Sequence, residues 1–181
     1  DLRHQLRQLG RIRGDVDRTV EFVVQPHRPF AVVGGKVLTS FALGIVSMAV
    51  LIGASTVLLG AEWGDPVGVG LLVVAGVAAA VGIMLVVAGF ARSVESAGNL
   101  QSILAVGLGM LGGVFFPADI SGWMADLAVV SPHRWFLLGL SDLAGGGGVG
   151  VVLEEVGALL AFAGAGFAVA AVRLRSMVSV A

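Results

Sequence analysis

The sequence predicts an all-α fold, a polytopic membrane helical bundle, from its composition and from how its apolar residues are distributed. Of the 181 residues, 57% are hydrophobic, 28 are glycine and only 13% are charged. A soluble domain of this size still exposes about 30% of its unfolded surface, so one core could not enclose this much apolar side chain. The apolar residues form continuous runs, which favour helices over an alternating β-barrel pattern in lipid. A soluble globular enzyme is therefore excluded.

Four apolar stretches are the predicted transmembrane helices. A helix of about 20 residues crosses the hydrocarbon layer of a bilayer. The predicted spans cover residues 37–59, 67–91, 100–116 and 149–172. The last span carries Glu154 and Glu155 near its start, where acidic side chains complement the helix dipole. We expect a solvated helix start there, and a proton or cation site is the alternative.

The basic residues predict the orientation of the spans. Of the 11 lysines and arginines, only Arg134 falls on the opposite side from the others if all four spans cross. Basic residues accumulate on the cytoplasmic side of membrane proteins. The chain is therefore expected to be a multi-pass protein of the cytoplasmic membrane, with both of its termini in the cytoplasm.

Two further segments complete the predicted architecture. Residues 1–35 form a basic, amphipathic segment on the cytoplasmic side, and residues 36–181 form the transmembrane domain. Residues 117–142 are too polar to cross the bilayer and too apolar for an ordinary loop. We expect them to form an outer re-entrant hairpin of two short helices, because Pro132 interrupts the segment.

Small residues on the spans predict close helix packing. Gly109 and Gly113 form a GxxxG pair, and Gly157, Ala161 and Ala165 lie four residues apart on one face of the last span. Small side chains let two helix backbones approach closely in lipid, where apolar burial gives little driving force. The pattern indicates a packed bundle or a dimer.

Two sequence strings resemble nucleotide-binding motifs, but neither has the required context. The string from Gly107 to Gly112 lies inside an apolar span, whereas a dinucleotide fingerprint follows a strand. After Gly35 and Lys36, Val37 stands where a phosphate loop needs Ser or Thr to bind magnesium. The chain also has no cysteine and only three scattered histidines. We expect no catalytic residue, no metal site and no bound cofactor.

The order of these parts resembles the permease subunit of an ABC-2 type transporter. One passage runs from Arg18 to Pro26 and then to Gly35-Lys36, and it is similar to the cytoplasmic glutamate-bearing helix of that family and the following helix start. The other passage begins at Glu95 and is similar to the stretch around the family's fifth transmembrane helix. It ends in Phe115-Phe116-Pro117, Trp123, Pro132 and Trp135-Phe136.

The resemblance implies that the chain is the later four-helix part of an exporter permease, which does not hydrolyse ATP itself. Residues 15–25 would be the coupling helix that docks on a separate ABC ATPase subunit, which binds ATP and Mg. The coupling residues would be Arg18, Glu21, Gln25 and Pro26. The outer gate would include Phe116, Pro117, Trp123, Pro132 and Trp135. A second permease chain, identical or not, and membrane lipid would be the other partners, and nucleic acid would not be one.

Two alternatives stay open at this point. The chain could be a non-transporting membrane anchor or assembly protein whose basic N-terminal helix binds anionic lipid. It could also be an intramembrane enzyme that uses His133, Asp142, Glu154 and Glu155. Co-purification with a soluble ATPase would separate the transporter from both alternatives.

Overall fold

The computed structural model describes residues 29–91, 93–114 and 123–178, and every regular element in these ranges is helical. The helices are α1 (Pro29–Leu59), α2 (Pro66–Phe90), α3 (Val94–Leu111), α4 (Trp123–Ala128), α5 (Pro132–Ala144), a short 3₁₀ helix (Val149–Val152) and α6 (Leu153–Val178). The predicted all-α class is confirmed.

Three of the described helical segments are long and apolar enough to cross a membrane. They are Val33–Leu59, Pro66–Phe90 and Val149–Arg173. They confirm a polytopic membrane helical bundle. The helix α3 has 18 residues and carries polar side chains at Glu95, Asn99 and Gln101. Its crossing of the bilayer as a fourth span stays a prediction.

Contacts divide the chain into two units after Thr39. Of the first unit, the described residues are 29–39, which form the first turns of α1. This helix begins at Pro29 rather than at the predicted span start, residue 37. Proline suits the first position of a helix, because the backbone N–H that it lacks would have no partner there.

In the second unit, α2 and α6 pack backbone against backbone. A Cβ atom added to Gly166 would lie 2.5 Å from the carbonyl carbon of Gly82, and one added to Gly82 would lie 3.2 Å from the Cα of Ala163. Only very small residues allow helices to come this close. The side chains of Leu72 and Leu159, one from each helix, are fully buried in the core of the unit.

The helices α2 and α6 run parallel to each other. Leu72 and Glu155 both lie against Gly139, near the start of α2 and α6. At the other end, the Nε atom of Arg173 donates a hydrogen bond of 3.3 Å to the carbonyl of Gly89. The Arg173 guanidinium also lies 5.0 Å from the centre of the Phe90 ring. Because the C-terminal end of a helix is its negative end, the arginine stabilises the end of α2.

Because α2 and α6 are parallel, the chain between them must return along α2. The helix α3 begins this return, with Gln101 Nε2 donating to the carbonyl of Met84 at 3.4 Å. The helix α5 completes it, since the Phe136 ring lies against Gly76 and the Leu143 side chain against Gly68. The two helices therefore line different halves of α2, and the chain is interrupted between them near the middle of α2.

The end of α3 is set by glycine. Gly113 has a φ of +88°, its N–H donates to the carbonyl of Met110, and the N–H of Val114 donates to the carbonyl of Gly109. These two bonds form a Schellman motif, in which glycine takes the left-handed position without a Cβ clash. The structure thus ends the helix at Leu111, earlier than the predicted span end at Phe116, and places Gly113 outside the helix.

Candidate functional site

The break between α3 and α5 is held by Ser131, which is fully buried. Its Oγ donates a hydrogen bond of 2.7 Å to the carbonyl of Leu108 and accepts one of 3.3 Å from the N–H of His133. The same hydroxyl therefore caps the start of α5 and binds the last turns of α3. A serine followed by proline is typical of a helix start, and this local pattern is the signal in the sequence that marks Ser131 as a cap.

Gly112 lets the two helices meet at this point. A Cβ atom added there would lie 2.6 Å from the Cβ of His133 and 2.7 Å from the Oγ of Ser131. Any larger residue would push α5 away from α3. Gly112 and Ser131 together keep the N-terminus of α5 against the C-terminus of α3.

Two of the predicted gate residues lie at the start of α5. Pro132 is buried at the first helical position, and the half-buried Trp135 donates a hydrogen bond of 2.9 Å from Nε1 to the carbonyl of Val129. Trp123 is the first residue of α4. Phe116 and Pro117 lie outside the described residues. The predicted pair of short helices is present, and their re-entrant position in a bilayer stays a prediction.

An apolar cavity of about 340 Å³ lies beside this break; α2, α3 and α5 supply most of its lining, and α1 and α6 supply one residue each. Its polar lining groups are the side chains of Gln101 and His133. The remaining lining residues are Met48, Val73, Gly76, Val77, Ala80, Ile83, Met84, Val87, Leu104, Ala105, Leu108, Pro132, Phe136 and Leu159. A mostly apolar cavity with few polar groups is typical of a small-molecule site.

The imidazole of His133 is half-buried and lines this apolar cavity. Its Nδ1 atom is buried and has no hydrogen-bond partner in the described part of the chain. Burial lowers the pKa of His133 below its ordinary value, because the charged form is poorly solvated there. A neutral imidazole therefore faces any molecule that enters the cavity.

The two neighbouring glutamates of α6 have different environments. Glu154 is exposed, as expected for a solvated helix start, but Glu155 is only 8% exposed. Its Oε2 atom is buried without a hydrogen-bond partner among the described residues. The expectation of a solvated start is therefore wrong for Glu155, because the packing of α5 and α2 turns this side of α6 inward.

The structure does not assemble the residues of the enzyme alternative. Glu154 and Asp142 are exposed, whereas Glu155 is buried and His133 is half-buried. Within the three described ranges, no hydrogen bond or ion pair joins these four side chains, and no group of three or more His, Asp or Glu could hold a metal ion.

The small residues of α6 lie on two faces. The face against α2 uses Ala163 and Gly166, whereas Gly157, Ala161 and Ala165 are exposed. Contact of this exposed stripe with another helix stays a prediction. Gly109 is buried in α3. A helix-packing role for Gly109 and Gly113 likewise stays a prediction. The coupling residues Arg18, Glu21, Gln25 and Pro26 lie outside the described residues.

Comparisons with known proteins agree with these features. The family model for the ABC-2 type transporter matches residues 19–143. The chain is similar to the linearmycin resistance permease protein LnrN of Bacillus subtilis (strain 168), with 32% identity over 144 residues. This match covers 78% of the chain but only 37% of LnrN, so the chain spans well under half the length of this relative. No solved structure matches the chain. With the family model covering α1 to α5 and the long apolar helices present, the chain belongs to the ABC-2 type transporter family of membrane permeases.

Proposed function

We propose that this chain forms part of the permease subunit of an ABC-type exporter, which moves a substrate across the cytoplasmic membrane with ATP hydrolysed by a separate subunit. The chain belongs to the ABC-2 type transporter family. The observation that carries the proposal is that α3 and α5 follow α2 as two separate helices, with an apolar cavity beside the point where they meet. Such a break gives a membrane helix two segments that can move against a continuous neighbour.

The energy for transport comes from the partner subunit. Residues 15–25 form the coupling helix, and Arg18, Glu21, Gln25 and Pro26 contact the ABC ATPase, which holds ATP and Mg. This chain itself binds no cofactor. Closure of the ATPase subunits moves the coupling helices of two permease chains, and this rigid-body motion opens a path between them. Both termini of the chain are cytoplasmic in this arrangement.

In this proposal Ser131 transmits the movement of α3 to α5. Because its hydroxyl bonds the carbonyl of Leu108 at 2.7 Å, a displacement of α3 carries the start of α5 with it. The outer gate, formed by Phe116, Pro117, Trp123, Pro132 and Trp135, therefore follows α3. A hydrogen bond in an apolar environment transmits this displacement well, because no water competes for its partners.

The cargo is amphipathic or lipid-like. Support comes from the cavity beside α3, where Gln101 and His133 are the polar lining groups among the described residues. The relative LnrN is named for resistance to linearmycin. By that similarity, the removal of a harmful compound from the cell or its membrane is the corresponding role for this chain.

The test is association with the ATPase subunit. The full-length permease is co-expressed with the ATPase and purified in detergent, and the bound ATPase is quantified for the wild type and for Glu21→Arg. We expect the variant to lose most of the ATPase. Glu154→Arg, which reverses an exposed acid on α6, is the matched control and should retain it.

Each alternative function predicts a different result. A wild-type permease that binds no ATPase would contradict the exporter and favour a membrane anchor. Hydrolytic activity in the isolated permease, abolished by Glu154→Gln or His133→Ala, would favour an intramembrane enzyme.

A further inference from the structure

Glu155 is a buried acid without a counter-ion in the described part of the chain. The side chain is 8% exposed, its Oε2 atom accepts no hydrogen bond, and no described lysine or arginine forms an ion pair with it. If the carboxyl is ionised, it needs a cation, and if it is protonated, its hydroxyl still needs an acceptor. Either form has a hydrogen-bonding requirement that the described residues do not meet.

Glu155 is the third residue of α6 and the seventh of the apolar segment Val149–Arg173. It is level with Leu72, because both residues lie against Gly139. Leu72 is six residues beyond the start of α2 at Pro66, which places it about 9 Å along the helix at 1.5 Å per residue. Ionisable residues within membrane-spanning segments are rare, and they usually have a function.

The apolar cavity begins one helical turn from Glu155. Leu159, four residues later on the same face of α6, lines the cavity. On α5, Gly139 lies against the Cβ of Glu155, and Phe136, one turn earlier, also lines the cavity. Glu155 is therefore one helical turn from the nearest cavity-lining residue on each helix, about 6 Å along α6 and about 4.5 Å along α5.

These features suit an organic cation better than a metal ion. The described residues contain no group of three or more His, Asp or Glu that could hold a metal. A single carboxylate among apolar side chains can pair with one ammonium group, and the cavity of about 340 Å³ has the volume of a small-molecule site.

We propose that Glu155 and the adjoining cavity form a binding site for a cationic amphipath. The ammonium group of the ligand pairs with the Glu155 carboxylate, and its alkyl chain occupies the space lined by Leu159 and Phe136. That such a ligand is also cargo rests on the proposed function, but the binding itself requires neither ATP nor a partner subunit.

The test compares two ligands of equal chain length, one charged and one neutral. The full-length permease is placed in lipid nanodiscs, and the binding of dodecylammonium and of dodecanol is measured by equilibrium dialysis, with empty nanodiscs subtracted. We expect saturable binding of both ligands, with dodecylammonium bound about tenfold more tightly, since a charge-assisted hydrogen bond is stronger than a neutral one.

The variants assign the difference to Glu155. Glu155→Gln should remove the preference for the ammonium without affecting dodecanol, whereas the matched control Glu154→Gln should preserve it. Leu159→Trp should weaken both ligands by filling the cavity. Equal losses in Glu154→Gln and Glu155→Gln would indicate surface charge alone and overturn the proposal.

The wild-type comparison does not depend on how well a variant folds. Equal affinity of the wild type for the two ligands, or no saturable binding, would overturn the binding site by itself. If binding fails while the ATPase still co-purifies, only this inference fails. If binding persists without any ATPase association, only the exporter function fails.

Discussion

The hydroxyl of Ser131 donates a 2.7 Å hydrogen bond to the carbonyl of Leu108, 23 residues earlier in the chain. This bond joins two helices that together follow α2 and are separated by α4 and its connections. The Leu108 carbonyl also accepts the N–H of Gly112 at 2.8 Å, and the Ser131 hydroxyl in turn accepts the N–H of His133 at the start of α5. The interruption between α3 and α5 is therefore stabilised by specific hydrogen bonds.

Ser131→Ala should destabilise the protein by about 1–3 kcal/mol, because it removes the bond that ties α5 to the Leu108 carbonyl and leaves the N–H of His133 without its cap. Thermal unfolding in detergent, followed by the loss of the monodisperse peak, measures the effect. The exposed Ser141 on the same helix is the matched control, and Ser141→Ala should unfold close to the wild-type temperature. Equal unfolding temperatures for both variants would contradict a structural role of this bond.

Gly166→Ala should separate α2 from α6. The added Cβ would meet the backbone of Gly82 at 2.5 Å, and such overpacking costs about 1–3 kcal/mol. At Gly164, on the same helix, a Cβ would meet nothing within 4 Å. Gly164→Ala should therefore be neutral or slightly stabilising, since alanine favours helices. The same unfolding assay compares the two variants, and an equal loss in both would refute the close contact.

Filling the cavity should impair transport without disturbing assembly. Ala80 lines the cavity on α2, whereas the exposed Ala88 on that helix does not. We expect Ala80→Trp to lower ATP-dependent efflux of an amphipathic dye from inverted vesicles several-fold, and Ala88→Trp to leave it close to the wild type. Both variants should still co-purify with the ATPase. Unimpaired efflux in Ala80→Trp would mean that cargo does not enter this cavity.

The predicted orientation can be tested by cysteine labelling, because these 181 residues contain no cysteine. Single cysteines at Gly10 and Gly147 should react with a membrane-impermeant maleimide from opposite sides of the membrane. A cysteine at Glu62, in the connection between α1 and α2, should label from the same side as the one at Gly147. If the cysteines at positions 10 and 147 were labelled from the same side, the chain between them would cross the membrane an even number of times, which would contradict the predicted three spans.

Much of the helical framework follows from local sequence. The second span was expected at residues 67–91, and the helix runs from Pro66 to Phe90. Asp65 explains this start, because its side chain caps the helix by accepting a hydrogen bond from the N–H of Gly68. The length of an apolar run and a capping residue act over one or two turns, so they can be recognised without knowledge of the fold.

The relationships between helices depend on contacts that are distant in sequence. Residues 156–172 of α6 are apolar on all faces, so hydrophobicity does not indicate which side meets α2. Only the packed structure selects Ala163 and Gly166 over Gly157, Ala161 and Ala165. The end of α3 at Leu111 depends on the left-handed conformation of Gly113, which the apolar run up to Phe116 concealed.

The sequence by itself determined that this chain is a bundle of membrane helices, and its motifs were sufficient to recognise the family. Only the tertiary structure decided that Ser131 joins α3 to α5 and that Glu155, unlike Glu154, is buried beside a cavity. The physical reason is that composition and spacing control which segments leave water and become helical. The rotation of each helix about its axis is set by the shape of the neighbours against which it packs.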